Sequence, residues 1–251
     1  LIADCDGLFK VDREKLRKVN SLGEMMIATR HGNTPVKKGD KLCGTRIIPL
    51  VIEKEKMQRV SELCGDEPLL QLLPYQIKKA AVLATGSEVF HGRIKDTFTL
   101  VLEEKLAEFN VEVVYKQVLD DKPEQITAAI KTAIEEKGAE MVLCTGGMSV
   151  DPDDRTPLAI KNTGARIVSY GAPVLPGAMF LLSYYGEKQV PVLGLPGCVM
   201  YAKRTVFDLV LPRVLACDLV TADELAALGE GGLCLNCAVC TYPACGFGKG
   251  W

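Results

Sequence analysis

Between residues 77 and 217, apolar strands alternate with amphipathic helices, and this alternation constrains the fold more than any other feature of the chain. Short apolar runs such as "KKAAVLATG" are typical of buried strands, and a segment with apolar residues at helical spacing follows. The predicted helices cover residues 97–110, 124–137, about 155–162 and 199–215. We expect Lys203 and Arg204 on the solvated face of the last helix. Strands this apolar indicate an α/β fold with a doubly wound, mostly parallel sheet and helices on both faces.

The alternation marks out one of three predicted regions, the α/β domain of residues 75–217. Residues 1–74 contain short apolar runs broken by glycine, proline and asparagine, which indicates a small β-rich N-terminal unit. Residues 218–251 form a polar linker and a cysteine-rich tail. The chain begins at Leu1 rather than at methionine, so we expect a fragment or a trimmed chain.

Composition argues against two classes of partner. The chain has 251 residues, of which 48% are hydrophobic and 25% charged, and this suffices for one full core. A formal net charge of -2 gives no general attraction to nucleic acid or to anionic membranes. There is no run of about 18 apolar residues, and the first ten residues carry charge where a signal peptide is apolar. We therefore expect a cytoplasmic protein that binds neither nucleic acid nor membranes.

Three strand ends of the predicted domain are rich in glycine, namely "ATGSEVFHGRIKDT", "CTGGMSVDPDDRT" and "LGLPGC". In a sheet of this kind, ligands bind beyond the carboxyl ends of the strands. Glycines there let backbone N–H groups approach an anion, and the N-terminus of the following helix adds partial positive charge. Each glycine turn taken alone is also explained by turn chemistry. The three together predict an anion-binding edge.

Carboxylates gather at the same predicted edge; they are Glu88, Asp96, Asp151, Asp153 and Asp154. Asp96 and Asp154 stand where a loop becomes a helix, so helix capping is an alternative role for each of them. Mutual repulsion among the carboxylates calls for a counter-charge. A hard cation such as Mg²⁺, bridging to phosphate oxygens, would supply it.

Three segments resemble, in the same order, the signature elements of the molybdopterin-binding domain: "TGSEVFHGRIKDT", "TGGMSVDPDDRTP" and "GLPGCVMYAKRTVFDLVLPRVL". That domain is shared by molybdenum-cofactor biosynthesis proteins of the MogA, MoaB and MoeA types, by gephyrin and by competence-damage proteins. The resemblance covers about residues 77–216 and implies the molybdopterin-binding fold.

The resemblance implies that the chain binds molybdopterin and acts as a transferase with Mg²⁺, either adenylylating molybdopterin from ATP or inserting molybdate. A carrier or sensor that holds molybdopterin without turnover is an alternative. Asp151 and the Asp-Thr-Phe run at 96–98, which depart from the family pattern, keep it open. A nucleotide pyrophosphatase of the competence-damage type is a further alternative. The family also implies a homo-oligomer, either a dimer or a trimer.

Carried over position by position, the resemblance implies roles for individual residues. Asp96 and Asp154 would be catalytic and would hold the metal. The residues implied to contact the pterin or its phosphate are Gly86, Ser87, Glu88, Gly146, Gly147, Ser149, Pro196 and Gly197.

Four cysteines crowd into the tail as "CLNCAVCTYPAC"; they are Cys234, Cys237, Cys240 and Cys245. The first three have the spacing of bacterial ferredoxin ligands. Structural zinc usually takes two separated pairs instead. Three hypotheses stay open for the tail, namely an iron–sulfur cluster, Zn²⁺, or reduced thiols without a metal.

Overall fold

The structure is a computed structural model that describes residues 1–93, 95–148 and 154–250. It divides into two compact units, Leu1–Tyr75 and Gln76–Trp251. The boundaries expected at residues 74 and 217 stay predictions about folding regions, because compactness does not show that a unit folds alone.

The first unit consists of two small antiparallel sheets and two helices. Its strands are β1 Gly7–Val11, β2 Met25–Thr29, β3 Thr34–Val36, β4 Cys43–Ile47 and β5 Leu70–Pro74, and its helices are α1 Arg13–Ser21 and α2 Lys54–Cys64. Strand β1 lies between β3 and β5, and β2 pairs with β4. The Asp12 carboxylate accepts the Lys15 N–H at 2.9 Å and so begins α1. Sequence analysis did not predict either helix.

The second unit contains one six-stranded sheet. Its strands are β6 Lys79–Thr85, β7 Glu112–Leu119, β8 Met141–Thr145, β9 Arg166–Tyr170, β10 Leu181–Tyr185 and β11 Val190–Leu195. They lie in the order β7-β6-β8-β11-β10-β9. Strands β7, β6, β8 and β11 are parallel to one another, whereas β10 runs antiparallel to its two neighbours, β11 and β9. The predicted mostly parallel α/β sheet is therefore confirmed, and β10 is an addition that sequence analysis missed.

Helices cover both faces of this sheet. They are α3 Ser87–Phe90, α4 Phe98–Ala107, α5 Pro123–Glu135, α6 Thr156–Asn162, α7 Val206–Leu215 and α8 Ala222–Ala226, with 3₁₀ turns at Gly197–Met200 and Ala227–Gly229. Leu83 of β6 packs in one cluster with Ile126 and Ile130 of α5. The adjacent β6 residue, Val82, points to the opposite face and is also fully buried, so that face is covered too. Within the described residues, no helix is long and apolar enough to cross a membrane.

The last long helix begins later than the sequence predicts. Residues 197–200 form a 3₁₀ turn, and α7 starts at Val206 rather than near residue 199. The cause is a capping box, in which the Thr205 N–H donates to the Asp208 carboxylate at 2.7 Å and the Phe207 N–H donates to the Thr205 hydroxyl at 3.2 Å. The cap satisfies the first N–H groups of α7 and fixes its start.

A cluster of charged side chains joins α4 to the start of α7. Lys105 Nζ lies 2.6 Å from the buried Asp208 carboxylate. Arg204 lies 3.0 Å from both Asp208 and Glu108. The expectation that Lys203 and Arg204 lie on the last helix is wrong, because both precede α7. Lys203 is exposed as expected, whereas Arg204 is half-buried in this cluster.

Candidate functional site

The three glycine-rich turns follow strands that are neighbours in the sheet. β8 lies between β6 and β11, and all three are parallel, so their carboxyl ends meet at one edge. Thr145, the last residue of β8, is paired with Ala84 of β6 and with Leu195 of β11. We call this edge, formed by the turns after β6, β8 and β11, the turn edge. The structure thus brings together three segments that are far apart in the sequence.

Threonine hydroxyls bind the first two turns to each other. Thr85 donates to the carbonyl of Thr145 at 3.0 Å, and Thr156 donates to the carbonyl of Gly146 at 2.8 Å. The two hydroxyl oxygens are themselves 3.0 Å apart. Thr85 and Thr156 are both buried. Sequence analysis missed them, although each stands beside a predicted glycine turn or at a predicted helix start.

Gly146 is required by the packing of these two turns. A Cβ at this position would lie 1.9 Å from the Thr85 carbonyl oxygen, and φ is +83°. Both facts exclude larger residues without a shift of the backbone. Gly147 is less crowded, since a Cβ there would meet the Thr156 hydroxyl at 3.1 Å. Its φ of +51° also favours glycine.

The end of β8 also carries a buried hydroxyl that protein atoms leave unsatisfied. Thr145 is 1% exposed, and its Oγ1 has no hydrogen-bond partner among the described residues. Leaving such a group unpaired costs about 1–3 kcal/mol. The residue directly precedes Gly146, so this unsatisfied hydroxyl belongs to the strand end that leads into the second turn.

The turn after β6 begins the short helix α3. Gly86 has a φ of +143°, and its N–H donates to the carbonyl of Leu119 at 3.1 Å. The Ser87 N–H donates to the Asp121 carboxylate at 2.8 Å. This N–H is therefore paired within the chain to Asp121, a residue that sequence analysis did not single out, and the contact of Ser87 with the pterin stays a prediction. The predicted Glu88 is exposed on the same short helix.

Asp96 lies one residue before Thr97, the N-cap of α4, and its side chain hydrogen-bonds to the first turn of the helix. Its carboxylate accepts the Thr99 N–H at 3.1 Å and also accepts the Thr99 hydroxyl. The capping role that sequence analysis held as an alternative is thus present. Each carboxylate oxygen retains a further lone pair, so capping leaves Asp96 able to contact a cation.

Asp154 lies half-buried, two residues before the start of α6. Burial and the negative charge of Asp154 together raise the pKa of Tyr170 at the end of β9. The charge of Asp154 is therefore close enough to Tyr170 to affect its ionisation. Three residues predicted for this edge, Ser149, Asp151 and Asp153, lie outside the described residues.

The third turn follows β11 and begins with Pro196 and Gly197. Pro196 is buried, whereas Gly197 is exposed and begins the 3₁₀ turn. The Thr97 hydroxyl donates to the Met200 sulfur at 3.3 Å. This contact connects the start of α4, next to Asp96, with the third turn.

The cysteines of the tail are in different environments. Cys234 and Cys245 are partly buried, while Cys237 and Cys240 are exposed. Together with Cys198 they line a cavity of about 510 Å³. Over residues 1–93, 95–148 and 154–250, no three His, Cys, Asp or Glu side chains are grouped as metal ligands. The metal sites predicted at the tail and at Asp96 and Asp154 stay predictions.

Comparison with known proteins identifies the region that contains the turn edge. The family model described as "Probable molybdopterin binding domain" matches residues 81–216, which is more than half of the chain. The matched region starts within β6 and ends just after α7, so it includes all three turns.

Two curated relatives and one solved structure illustrate the similarity. The CinA-like protein of Fervidobacterium nodosum is 31% identical over 112 residues, covering 44% of this chain and 27% of that protein. The molybdopterin molybdenumtransferase of Synechococcus elongatus is 26% identical over 182 residues, covering 69% of this chain and 43% of the relative. The crystal structure of the molybdopterin biosynthesis MoeA protein from Pyrococcus horikosii is 18% identical with a TM-score of 0.44, covering 87% of this chain and 68% of that one.

The chain spans less than half the length of these two curated relatives. The family match is independent of that difference in length, because it covers more than half of this chain and encloses the three turns described above. The chain belongs to the molybdopterin-binding domain family.

Proposed function

We propose that the chain binds molybdopterin at the turn edge and, with Mg²⁺, acts as a transferase that inserts molybdate into it or adenylylates it from ATP. One observation carries the proposal. The three elements that resemble the family's signatures end side by side on β6, β8 and β11, and the first two are joined by the hydroxyls of Thr85 and Thr156. Such an edge is where parallel sheets bind ligands.

The residues of the edge suit an anionic pterin. Gly197 leaves open space, because a Cβ there would meet no atom of the described residues within 4 Å. Thr145 offers a buried hydroxyl without a partner in the described part of the chain. Gly146 and Gly147 bring backbone close to the same place without side chains. The edge thus combines open space at one turn with an unsatisfied buried hydroxyl at the start of another.

Asp96 and Asp154 are proposed to hold Mg²⁺. This ion commonly takes one or two protein carboxylates and completes its shell with water and phosphate oxygens. Two aspartates therefore suffice, and the Thr99 hydrogen bonds orient the Asp96 carboxylate. When bound, Mg²⁺ would neutralise phosphate charge and polarise the reacting phosphoryl or oxo group. We also propose that the protein is a dimer or trimer, as the family resemblance implies.

The extent of one match supports molybdate insertion over the other reactions. Similarity to the molybdenumtransferase of Synechococcus elongatus covers 69% of this chain and so extends beyond the family domain. Similarity to the CinA-like protein covers 44%. Adenylylation, a carrier without turnover and a nucleotide pyrophosphatase are the alternatives that the experiment must separate.

The test is calorimetric titration of molybdopterin into anaerobic protein with and without Mg²⁺, followed by addition of ATP or molybdate. We expect Asp154→Asn to weaken Mg²⁺-dependent binding about tenfold to hundredfold, as loss of a charged contact does. Glu187→Gln is the matched control, because Glu187 lies in the β10–β11 hairpin at the opposite edge of the sheet.

Each outcome identifies a different function. Binding with AMP transfer indicates adenylylation, and binding with uptake of molybdate indicates insertion. Binding without either reaction leaves a carrier. If molybdopterin does not bind and a nucleotide diphosphate is hydrolysed instead, the chain is a pyrophosphatase. Equal binding by the Asp154 variant and the wild type would remove Asp154 from the site.

A further inference from the structure

The tail of the second unit is a loop closed by glycine packing. The Gly248 N–H donates to the carbonyl of Gly231 at 2.9 Å, so the chain returns to its starting point after the cysteines. A Cβ on Gly250 would lie 1.7 Å from the Glu230 carbonyl oxygen. A Cβ on Gly232 would lie 2.4 Å from the Leu228 carbonyl oxygen. We call residues 231–248 the cysteine loop.

Backbone hydrogen bonds attach the start of this loop to the rest of the second unit. The Leu175 N–H donates to the carbonyl of Gly232, and the Cys234 N–H donates to the carbonyl of Leu175, each at 2.8 Å. Further along, the Tyr242 hydroxyl donates to the carbonyl of Asp208 in α7 at 2.9 Å. The loop is therefore attached at residues 232–234 and at Tyr242, and Cys237 and Cys240 lie between these attachments.

Between these anchors, the loop has little apolar packing to hold it. No helix or strand is formed from residue 234 to residue 250. In the middle of the loop the apolar side chains face solvent, since Leu235 is 78% exposed and Val239 is 75% exposed, whereas Phe247 near its end is buried. Ordering a chain segment costs conformational entropy that burial normally offsets. A segment with so little burial is ordered in small protein modules by a disulfide or a metal ion.

Five thiols face one space beside this loop. The cavity of about 510 Å³ is lined by the four cysteines of the loop and by Cys198 of the third turn. Burial raises the pKa of the Cys198 thiol, and this cysteine lies far from the other four in the sequence. The four loop cysteines, which belong to one short segment, are the candidates for joint ligation.

Two lysines place positive charge against the backbone of the loop. Lys203 Nζ donates to the carbonyls of Cys237 at 3.3 Å and Ala238 at 2.8 Å. Lys249 Nζ donates to the carbonyls of Pro243 and Cys245. Thiolates are favoured beside cations, and four of them around a divalent ion carry net negative charge. The lysines are positioned to offset that charge.

We propose that Cys234, Cys237, Cys240 and Cys245 together bind a thiophilic metal centre, Zn²⁺ or an iron–sulfur cluster, that orders the cysteine loop. In the described residues these thiols are not yet grouped as ligands. Joint ligation would bring the four thiols together and would release their protons to solvent. This centre is separate from the turn edge and does not depend on molybdopterin.

The test measures metal per chain in protein purified anaerobically, by elemental analysis and by absorption and paramagnetic resonance spectra. About one zinc per chain indicates the first form, and about four irons with inorganic sulfide indicate the second. Protein without metal is exposed separately to Zn²⁺ and to iron with sulfide. We expect the double variant Cys237→Ser, Cys240→Ser to contain at least tenfold less metal per chain than the wild type. Both residues are exposed, so their replacement leaves the core unchanged.

Cys217→Ser is the matched control, because Cys217 is an exposed cysteine of the same unit that does not line the cavity. This variant should keep its metal. The proposal is overturned if the wild type takes up neither zinc nor a cluster, or if the double variant retains either one. It is also overturned if mass spectrometry finds a Cys237–Cys240 disulfide in anaerobic protein, or if the control loses metal equally.

Discussion

The turn after β8 and the turn after β11 both carry glycine, but for different reasons. At Gly146 a side chain would collide with the Thr85 carbonyl, at 1.9 Å, and φ is positive. At Gly197 a Cβ would meet no described atom within 4 Å, and the residue begins an ordinary 3₁₀ turn. Packing of two strand ends therefore explains Gly146, whereas packing within the described residues does not explain Gly197.

The comparison separates structural glycines from candidate binding glycines at one edge. A glycine that is sterically required supports the fold and is uninformative about a ligand. A glycine in open space is informative, because its missing side chain leaves access for another molecule. On this ground Gly197 is a better candidate for direct contact with molybdopterin than Gly146, although both match the family's signatures.

Exchange of each glycine for alanine gives the largest expected difference. Gly146→Ala should reduce the free energy of unfolding by about 3 kcal/mol or more, since it combines a steric collision with a strained φ. Gly197→Ala should change stability by no more than about 0.5 kcal/mol. Urea unfolding followed by circular dichroism measures both. Equal losses would show that the two turns are under the same steric constraint.

The Gly197→Ala variant also tests whether the third turn contacts the ligand. Gly197→Ala should fold normally and bind molybdopterin more weakly, because the added methyl group occupies the open space. Normal binding by this variant would exclude close contact between the ligand and the third turn.

The threonine hydroxyl contacts at the second turn and at the third turn should also differ in their contribution to stability. Thr156→Val removes a buried hydrogen bond to the Gly146 carbonyl and a second contact with Thr85, and should cost about 1–3 kcal/mol. Thr97→Val removes only an exposed contact with the Met200 sulfur and should cost less than about 0.5 kcal/mol. Both substitutions keep a β-branched side chain of the same size. A cost of less than about 0.5 kcal/mol for Thr156→Val would mean that its buried hydroxyl adds no stability at the second turn.

The sequence predicts the central strands well because parallel strands are buried on both faces. Runs such as those ending at Thr85 and Thr145 are therefore continuously apolar and unambiguous. Their shared edge follows from the fold class. The convergence of the three turns could thus be predicted before any coordinates.

The features that sequence analysis did not predict depend on contacts between residues distant in the sequence or on local helix caps. Thr85 and Thr156 meet across 71 positions, and Lys105 meets Asp208 across 103, so no local pattern reveals either pair. Strand β10 follows a stretch rich in proline and glycine that obscured its start. The start of α7 was misjudged because the Thr205–Asp208 cap overrides the apolar spacing that begins at Val199.

The smallest expected effect concerns the electrostatics of the second turn. Burial raises the pKa of Tyr170, and the nearby negative charge of Asp154, which disfavours a phenolate, raises it further. Asp154→Asn should therefore lower the pKa of Tyr170, while the part caused by burial remains. The ultraviolet absorbance of the phenolate, followed with pH, measures this pKa when the same titration of Tyr170→Phe is subtracted. Glu187→Gln should leave the value unchanged. If Asp154→Asn also leaves it unchanged, the carboxylate does not act on this side of the turn edge, and its proposed role with Mg²⁺ would need a different orientation.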